Sequence, residues 1–187
     1  LRLGDVALVH GASGGVGHAA VQVAAAAGAT VVGTAREGEP AAFARSLGAD
    51  AVVDYRSDDL GGEIGAALDG RGVDVVFDPH ADAHLDANLD CLSRGGRIVA
   101  IGEEGPITLD GGLPMAAKQA DSDLRFMSIV ASSGDQAAIL ERVGERLADG
   151  TFSVEIDSVF GLEAVSEALS RLSASGTLGK VVLDTTR

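Results

Sequence analysis

The segment best equipped for chemistry is His10-Gly11-Ala12-Ser13-Gly14-Gly15-Val16-Gly17, which leaves the apolar run Val6 to Val9 and enters an Ala-rich stretch directly. A phosphate binds at such a place when backbone N–H groups at a helix start approach it with no β-carbon in the way. Gly14 and Gly15 permit that approach, and Gly17 lets the helix lie close on the strand. Glycines alone say little. Here they stand in the strand, turn and helix order that pyrophosphate recognition requires, so a dinucleotide is the expected ligand, with Ala12, Ser13, Gly14, Gly15 and Val16 around its phosphates.

The end of the second apolar run selects the dinucleotide. Gly33-Thr34-Ala35-Arg36 has no acid at its tip to accept hydrogen bonds from a ribose diol, whereas Arg36 can grip a 2′-phosphate through two N–H groups. NADPH is therefore the expected cofactor, held here by Thr34 and Arg36; Glu37, next along, is the alternative ribose acid. The spacing Gly11, Gly15, Gly17 also matches short-chain dehydrogenases. Those need a Tyr-x-x-x-Lys pair, and the single tyrosine, Tyr55, has Asp59 four residues on. That family is set aside. No metal is expected: neither His10 nor His18 pairs with Cys, Asp or Glu at ligand spacing, and Cys91 reads as a core residue.

The elements that must position this turn follow from the apolar pattern. Val6 to Val9, Thr30 to Gly33, Ala51 to Asp54, Val73 to Phe77, Arg97 to Ile101 and Leu124 to Val130 are runs of strand length. Helical spacing fills Val16 to Ala27, Pro40 to Leu47, Leu60 to Leu68 and Ala83 to Leu92, with Gly28 and Gly48 as left-handed stops. Continuous apolar strands alternating with helices predict an α/β, doubly wound (Rossmann) fold: a six-stranded parallel sheet with helices on both faces. Glu103 to Asp123 reads as a long loop with one helical turn near Ala116 to Gln119. Beyond it come helices over Gln136 to Ala148 and Leu162 to Leu172 and a short strand, Val181 to Leu183. Leu124 to Val130 falls at the sheet edge, where unpaired backbone groups invite a second copy, so a homodimer is expected.

Composition narrows the function classes. The 187 residues hold 14 Lys+Arg against 28 Asp+Glu, a net charge of −14, which repels nucleic-acid phosphates and anionic membranes. A single cysteine fits a reducing, cytoplasmic setting, and no apolar run of spanning length or signal peptide is present. Apolar residues at 46% suffice for one packed domain. A first residue Leu1 rather than Met suggests a piece of something longer.

Several stretches then resemble one known group. Gly4 to Gly17, Arg45-Ser46-Leu47-Gly48-Ala49-Asp50-Ala51-Val52-Val53-Asp54-Tyr55, Gly72-Val73-Asp74-Val75-Val76-Phe77-Asp78, Gly95-Gly96-Arg97-Ile98-Val99 and Gly179-Lys180-Val181-Val182-Leu183 look like the cofactor domain of zinc-independent medium-chain dehydrogenase/reductases, quinone oxidoreductase-like branch. The resemblance implies an enzyme passing hydride from NADPH to a quinone or an α,β-unsaturated carbonyl compound, both small molecules. It also implies nicotinamide contacts at Asp78, Pro79, Ile101 and Gly102, a flank at Val130 to Ser132, and Tyr55 near the adenosine phosphate. The family's GroES-like substrate domain is expected before Leu3. Two departures stand out. Pro40 occupies the place of a lysine that many relatives use for the 2′-phosphate, and His80-Ala81-Asp82 replaces a glycine pair. Related enoyl reductase domains of polyketide and fatty acid synthases place a proton-donating lysine near His84, which makes His84 the candidate catalytic residue. Such an excised domain, and a stand-alone regulatory module that senses NADPH, are the alternative functions.

Overall fold

The computed structural model describes residues 1–129, 136–174 and 176–186. Six strands, β1 (Val6–Val9), β2 (Thr30–Thr34), β3 (Ala51–Val53), β4 (Val73–Asp78), β5 (Leu92–Ala100) and β6 (Asp123–Phe126), form one parallel sheet in the order β3-β2-β1-β4-β5-β6. Helices α1 (Gly17–Ala26), α2 (Glu39–Ser46), α3 (Leu60–Ala67), α4 (Ala81–Cys91) and α5 (Leu113–Ala120) connect them. The strand order reverses between β1 and β4, and the carboxyl ends there form the crevice in which such sheets bind ligands.

The central strand β1 is buried on both faces, and its alternation sorts the core in two. Val6 and Leu8 join Val32, Ile64, Val73, Val76, Leu89 and Ile98 in a cluster of large side chains. Ala7 and Val9 join Ala12, Val21, Ala24, Ala44 and Ala49 in a cluster of small ones. Small residues bring α1 and α2 close to the sheet, which suits a chain with 3% aromatics. Gly33 shows how tight this is: a Cβ there would sit 2.7 Å from the Ala12 methyl. At Gly17 the added atom would strike the Gly11 carbonyl, so α1 starts on the strand only because this residue is glycine.

Several boundaries differ from the sequence pattern: β5 starts at Leu92 rather than Arg97, directly after α4. The expected sixth strand, 124–130, pairs only as Asp123–Phe126, and residue 130 lies outside the described residues. The expected loop 103–123 contains α5, eight residues long with Pro114 in its first turn, where a missing N–H costs nothing. Helix α6 (Gln136–Ala148) stands as expected. The last strand, β8 (Lys180–Asp184), is outside the main sheet and pairs in parallel with β7 (Ile156–Gly161), an element the sequence pattern missed. Between them a short 3-10 turn, Leu162–Ala164, precedes α7 (Val165–Ser173). The alternation Val154-Glu155-Ile156-Asp157 was the available signal for β7. No helix among the described residues is long and apolar enough to cross a membrane.

Candidate functional site

The glycine turn lies over the carboxyl end of β1 and is held from three directions. From β2, the Thr34 carbonyl accepts the Ala12 N–H at 2.9 Å and its hydroxyl accepts the Gly11 N–H at 3.2 Å. From α1, the His18 Nδ1–H donates to the Gly14 carbonyl at 3.0 Å. From the C-terminal segment, the Gly179 N–H donates to the Ser13 carbonyl at 2.9 Å. Gly11 has φ +62°, which lets the chain reverse out of the strand. No side chain caps the start of α1; the His18 and Ala19 N–H groups return to the Gly14 and Val16 carbonyls, so the amides ahead of them, Gly15 to Gly17, are the ones a ligand can take.

Over this turn lies a cavity of about 250 Å³, lined by Ser13, Gly14, Gly15, Arg36, Tyr55 and Thr177, among others. The Arg36 guanidinium extends to Gly176, where a Cβ would stand 2.5 Å from it. Lys180 reaches the turn itself, its Nζ 3.3 Å from where a Gly15 Cβ would be. The covering segment is fixed by Asp157, whose side chain is almost out of solvent and accepts from Arg171 and, at 2.9 Å, from the Leu178 N–H. The Arg171 guanidinium beside it lowers the Asp157 carboxyl to about 2. Sequence reasoning missed Thr177, Gly176 and Lys180 as site residues because they arrive from a sheet that the main fold does not announce.

The expected contacts separate into two groups. Ser13, Gly14, Gly15, Arg36 and Tyr55 line the cavity, and Val16 is exposed beside it. Ala12, Thr34 and Asp78 are fully buried and hold the turn and the strand ends instead. Asp78, Pro79, Ile101 and Gly102 do meet: the Ile101 N–H donates to the Asp78 carbonyl at 2.9 Å, and a Cβ at Gly102 would stand 2.5 Å from the Pro79 carbonyl. Val130 to Ser132 lies outside the described residues. His84 donates through Nδ1 to Asp78 at 3.2 Å and lines a separate cavity of about 210 Å³ with Tyr55 and Ser57. Burial raises the Asp78 carboxyl, but hydrogen bonds from His84, the His80 N–H and Asn88 outweigh it, and the group stays below the usual range. Cys91 is buried, which pushes its thiol up to about 12 and leaves it unreactive.

Among the described residues, one set of potential metal ligands, His10, Asp78 and His84, has its donor atoms within 4.8 Å of one another. The two imidazoles stack face to face, with centroids 4.2 Å apart and planes at 14°. Imidazole lone pairs lie in the ring plane, so two stacked rings cannot aim at one ion between them. Both His10 nitrogens are also engaged by Thr34 and Asn88. These residues do not fit a zinc, and no step here runs through one.

Comparison with known proteins places this geometry. A family model described as "Zinc-binding dehydrogenase" matches residues 47–183. The chain is 33% identical over 183 residues to the quinone oxidoreductase of Lama guanicoe, covering 97% of this chain and 55% of that protein, so it spans about half that relative's length. It is 32% identical over 188 residues to a phenolphthiocerol/phthiocerol polyketide synthase of Mycobacterium tuberculosis, covering 98% of this chain and 8% of that one. A mycobacterial protein solved with NADPH superposes with a TM-score of 0.85 at 28% identity, covering 98% of this chain and 57% of that one. The chain belongs to the zinc-binding dehydrogenase family, as a quinone oxidoreductase-like medium-chain dehydrogenase/reductase.

Proposed function

We propose that this chain is the NADPH-holding half of an oxidoreductase that delivers hydride to a quinone or an α,β-unsaturated carbonyl compound. The observation that carries this reading is the cavity of about 250 Å³ over an uncapped helix start, with Arg36 and no acid at the β2 tip. The fit to a dinucleotide is steric as well as electrostatic, because the glycine turn leaves room for a pyrophosphate against the backbone. Ser13, Gly15 and Val16 hold the pyrophosphate through N–H groups, while the Gly14 N–H stays with the Gly11 carbonyl at 2.9 Å, and Lys180 supplies a counter-charge beside Gly15. Arg36 takes the 2′-phosphate, with Tyr55 beside it in the cavity wall. Asp78, Pro79, Ile101 and Gly102 set the tips of β4 and β5 for the nicotinamide end. NADPH, when bound, supplies the hydride, and these residues orient it and exclude water.

The strand ends do no proton chemistry in this reading. Asp78 is consumed by three donors, and His84 faces a different cavity, so the group that protonates the product comes from solvent or from the rest of the full-length protein. The acceptor pocket is likewise supplied outside this chain, by the substrate domain expected ahead of Leu3. The match to a polyketide synthase favours, as a second reading, an enoyl reductase acting on a thioester. Phe126 and Met127, exposed at and just after the edge strand β6, are proposed as the centre of a homodimer contact. The test is NADPH oxidation by the full-length protein with a benzoquinone, an enone or an unsaturated thioester as acceptor. Turnover with any of these supports the proposal and identifies the branch; binding of NADPH with no turnover on all three overturns it in favour of a sensor.

A further inference from the structure

Nucleotide contact does not explain the buried polar group beneath the turn. His10 follows β1 directly and is fully buried, with both ring nitrogens engaged: Nδ1 lies 3.1 Å from Thr34 Oγ1 and Nε2 lies 2.7 Å from Asn88 Oδ1. Hydrogen positions in this chain of contacts follow from its far end. Asp78 is an ionised carboxylate and can only accept, so the Asn88 amide must present Nδ2–H to it, at 2.7 Å. Asn88 Oδ1 then faces His10 and accepts, which requires a proton on His10 Nε2. Burial lowers His10 to about 4, so the ring is neutral and Nδ1 carries a lone pair. Thr34 therefore donates its hydroxyl proton to Nδ1 and keeps its own lone pairs for the Gly11 N–H.

Every proton in the series has one place. Gly11 donates to Thr34, Thr34 to His10, His10 to Asn88 and Asn88 to Asp78, crossing from the tip of β2 under β1 to the tip of β4. His84 closes the series by stacking on the His10 ring and donating to the second Asp78 oxygen, while the exposed His80 stands edge-on to His84, with centroids 6.3 Å apart. A proton on Nδ1 would reverse the sense of the Thr34 contact and leave a buried hydroxyl proton without an acceptor.

We propose that His10 is a positioning residue for the nucleotide: its single Nε2–H tautomer, set by Asn88 and Asp78, orients the Thr34 hydroxyl that fixes the first amide of the glycine turn. The proposal rests on the reading that this turn holds the NADPH pyrophosphate. His10 itself touches no ligand; it acts through Thr34. Removing the hydroxyl releases Gly11 and lets the turn move relative to Arg36, so affinity falls although no ligand contact is deleted.

Two measurements test it separately. Nitrogen-detected NMR of the histidine side chains, with no nucleotide present, is expected to show His10 as one neutral Nε2–H form near neutral pH. An Nδ1–H form or a mixture of tautomers overturns the proposal whatever the ligand. Calorimetric titration with NADPH is expected to give ~10-fold weaker binding for Thr34→Val, as expected for one lost buried hydrogen bond, and near wild-type binding for Thr34→Ser. The two variants are compared at equal folded fraction, judged by circular dichroism. Equal affinity in Thr34→Val and wild type overturns the positioning role. Absence of NADPH binding by the wild type fails the functional reading alone, because the tautomer result stands on the free chain.

Discussion

The floor and the roof of the cavity are built on opposite principles. The floor, Thr34, His10, Asn88 and Asp78, is fully buried, polar and internally satisfied, with each donor matched to one acceptor. The roof, Gly176 to Lys180, is partly exposed and approaches the turn through glycine backbone and the long side chains of Arg36 and Lys180. A buried polar series tolerates no change of proton count, so it fixes shape. Solvated cations on flexible stems adapt, so they choose the ligand. The difference predicts that floor substitutions act mainly on stability and roof substitutions mainly on nucleotide binding.

The largest effect belongs to the floor. Asp78→Ala deletes the acceptor for Asn88, His84 and the His80 N–H together, and should cost about 3–5 kcal/mol in urea unfolding. Little change in the unfolding midpoint would break the comparison. Next is acid. His10 has its pKa lowered from 6.5 to about 4 by burial, so between those values the unfolded chain takes up a proton that the folded chain refuses. Stability is whole above pH 6.5 and falls as pH drops toward 4, by about 3 kcal/mol. The roof's Asp157, lowered from 3.8 to about 2, keeps its contribution until pH falls below 3.8. Unfolding midpoints measured between pH 7 and pH 4 should therefore decline, and a flat profile would contradict the neutral His10.

Roof substitutions come after these. Lys180→Ala should weaken NADPH and NADH alike, by roughly 5-fold, because the pyrophosphate is common to both; a selective loss of one would place Lys180 elsewhere. The smallest effect is at Cys91. A buried thiol pushed up to about 12 should resist alkylation in the folded chain, and modification at the rate of a free thiol would show that the α4 end opens.

The main sheet is legible because β1 is a continuous apolar run, β2 and β4 are largely apolar, and the glycine turn sits where a strand meets a helix. Ser13, Gly14 and Gly15 were readable for the same reason. Thr34 and Asp78 fall at strand tips as the pattern predicts, but sequence does not tell which way a side chain turns at a strand end, and both are fully buried. The roof was out of reach: Lys180 is 163 residues beyond Gly17, and only the pairing of β7 with β8 brings it to Gly15. The role of His10 is not legible in sequence because its partners, Thr34, Asn88 and Asp78, are scattered through the chain and follow no spacing rule. His84 drew attention by its position in the chain, yet it stacks on His10 and faces another cavity.

The central claim, that this turn holds NADPH with Arg36 on the 2′-phosphate, is tested most directly by calorimetric titration of the chain with NADPH and NADH, in the wild type and in Arg36→Ala. The predicted result is tighter binding of NADPH than of NADH, with the preference falling by roughly 10- to 100-fold in Arg36→Ala while NADH binding is retained. Stronger binding of NADH by the wild type, or a variant that keeps its NADPH preference, would contradict it.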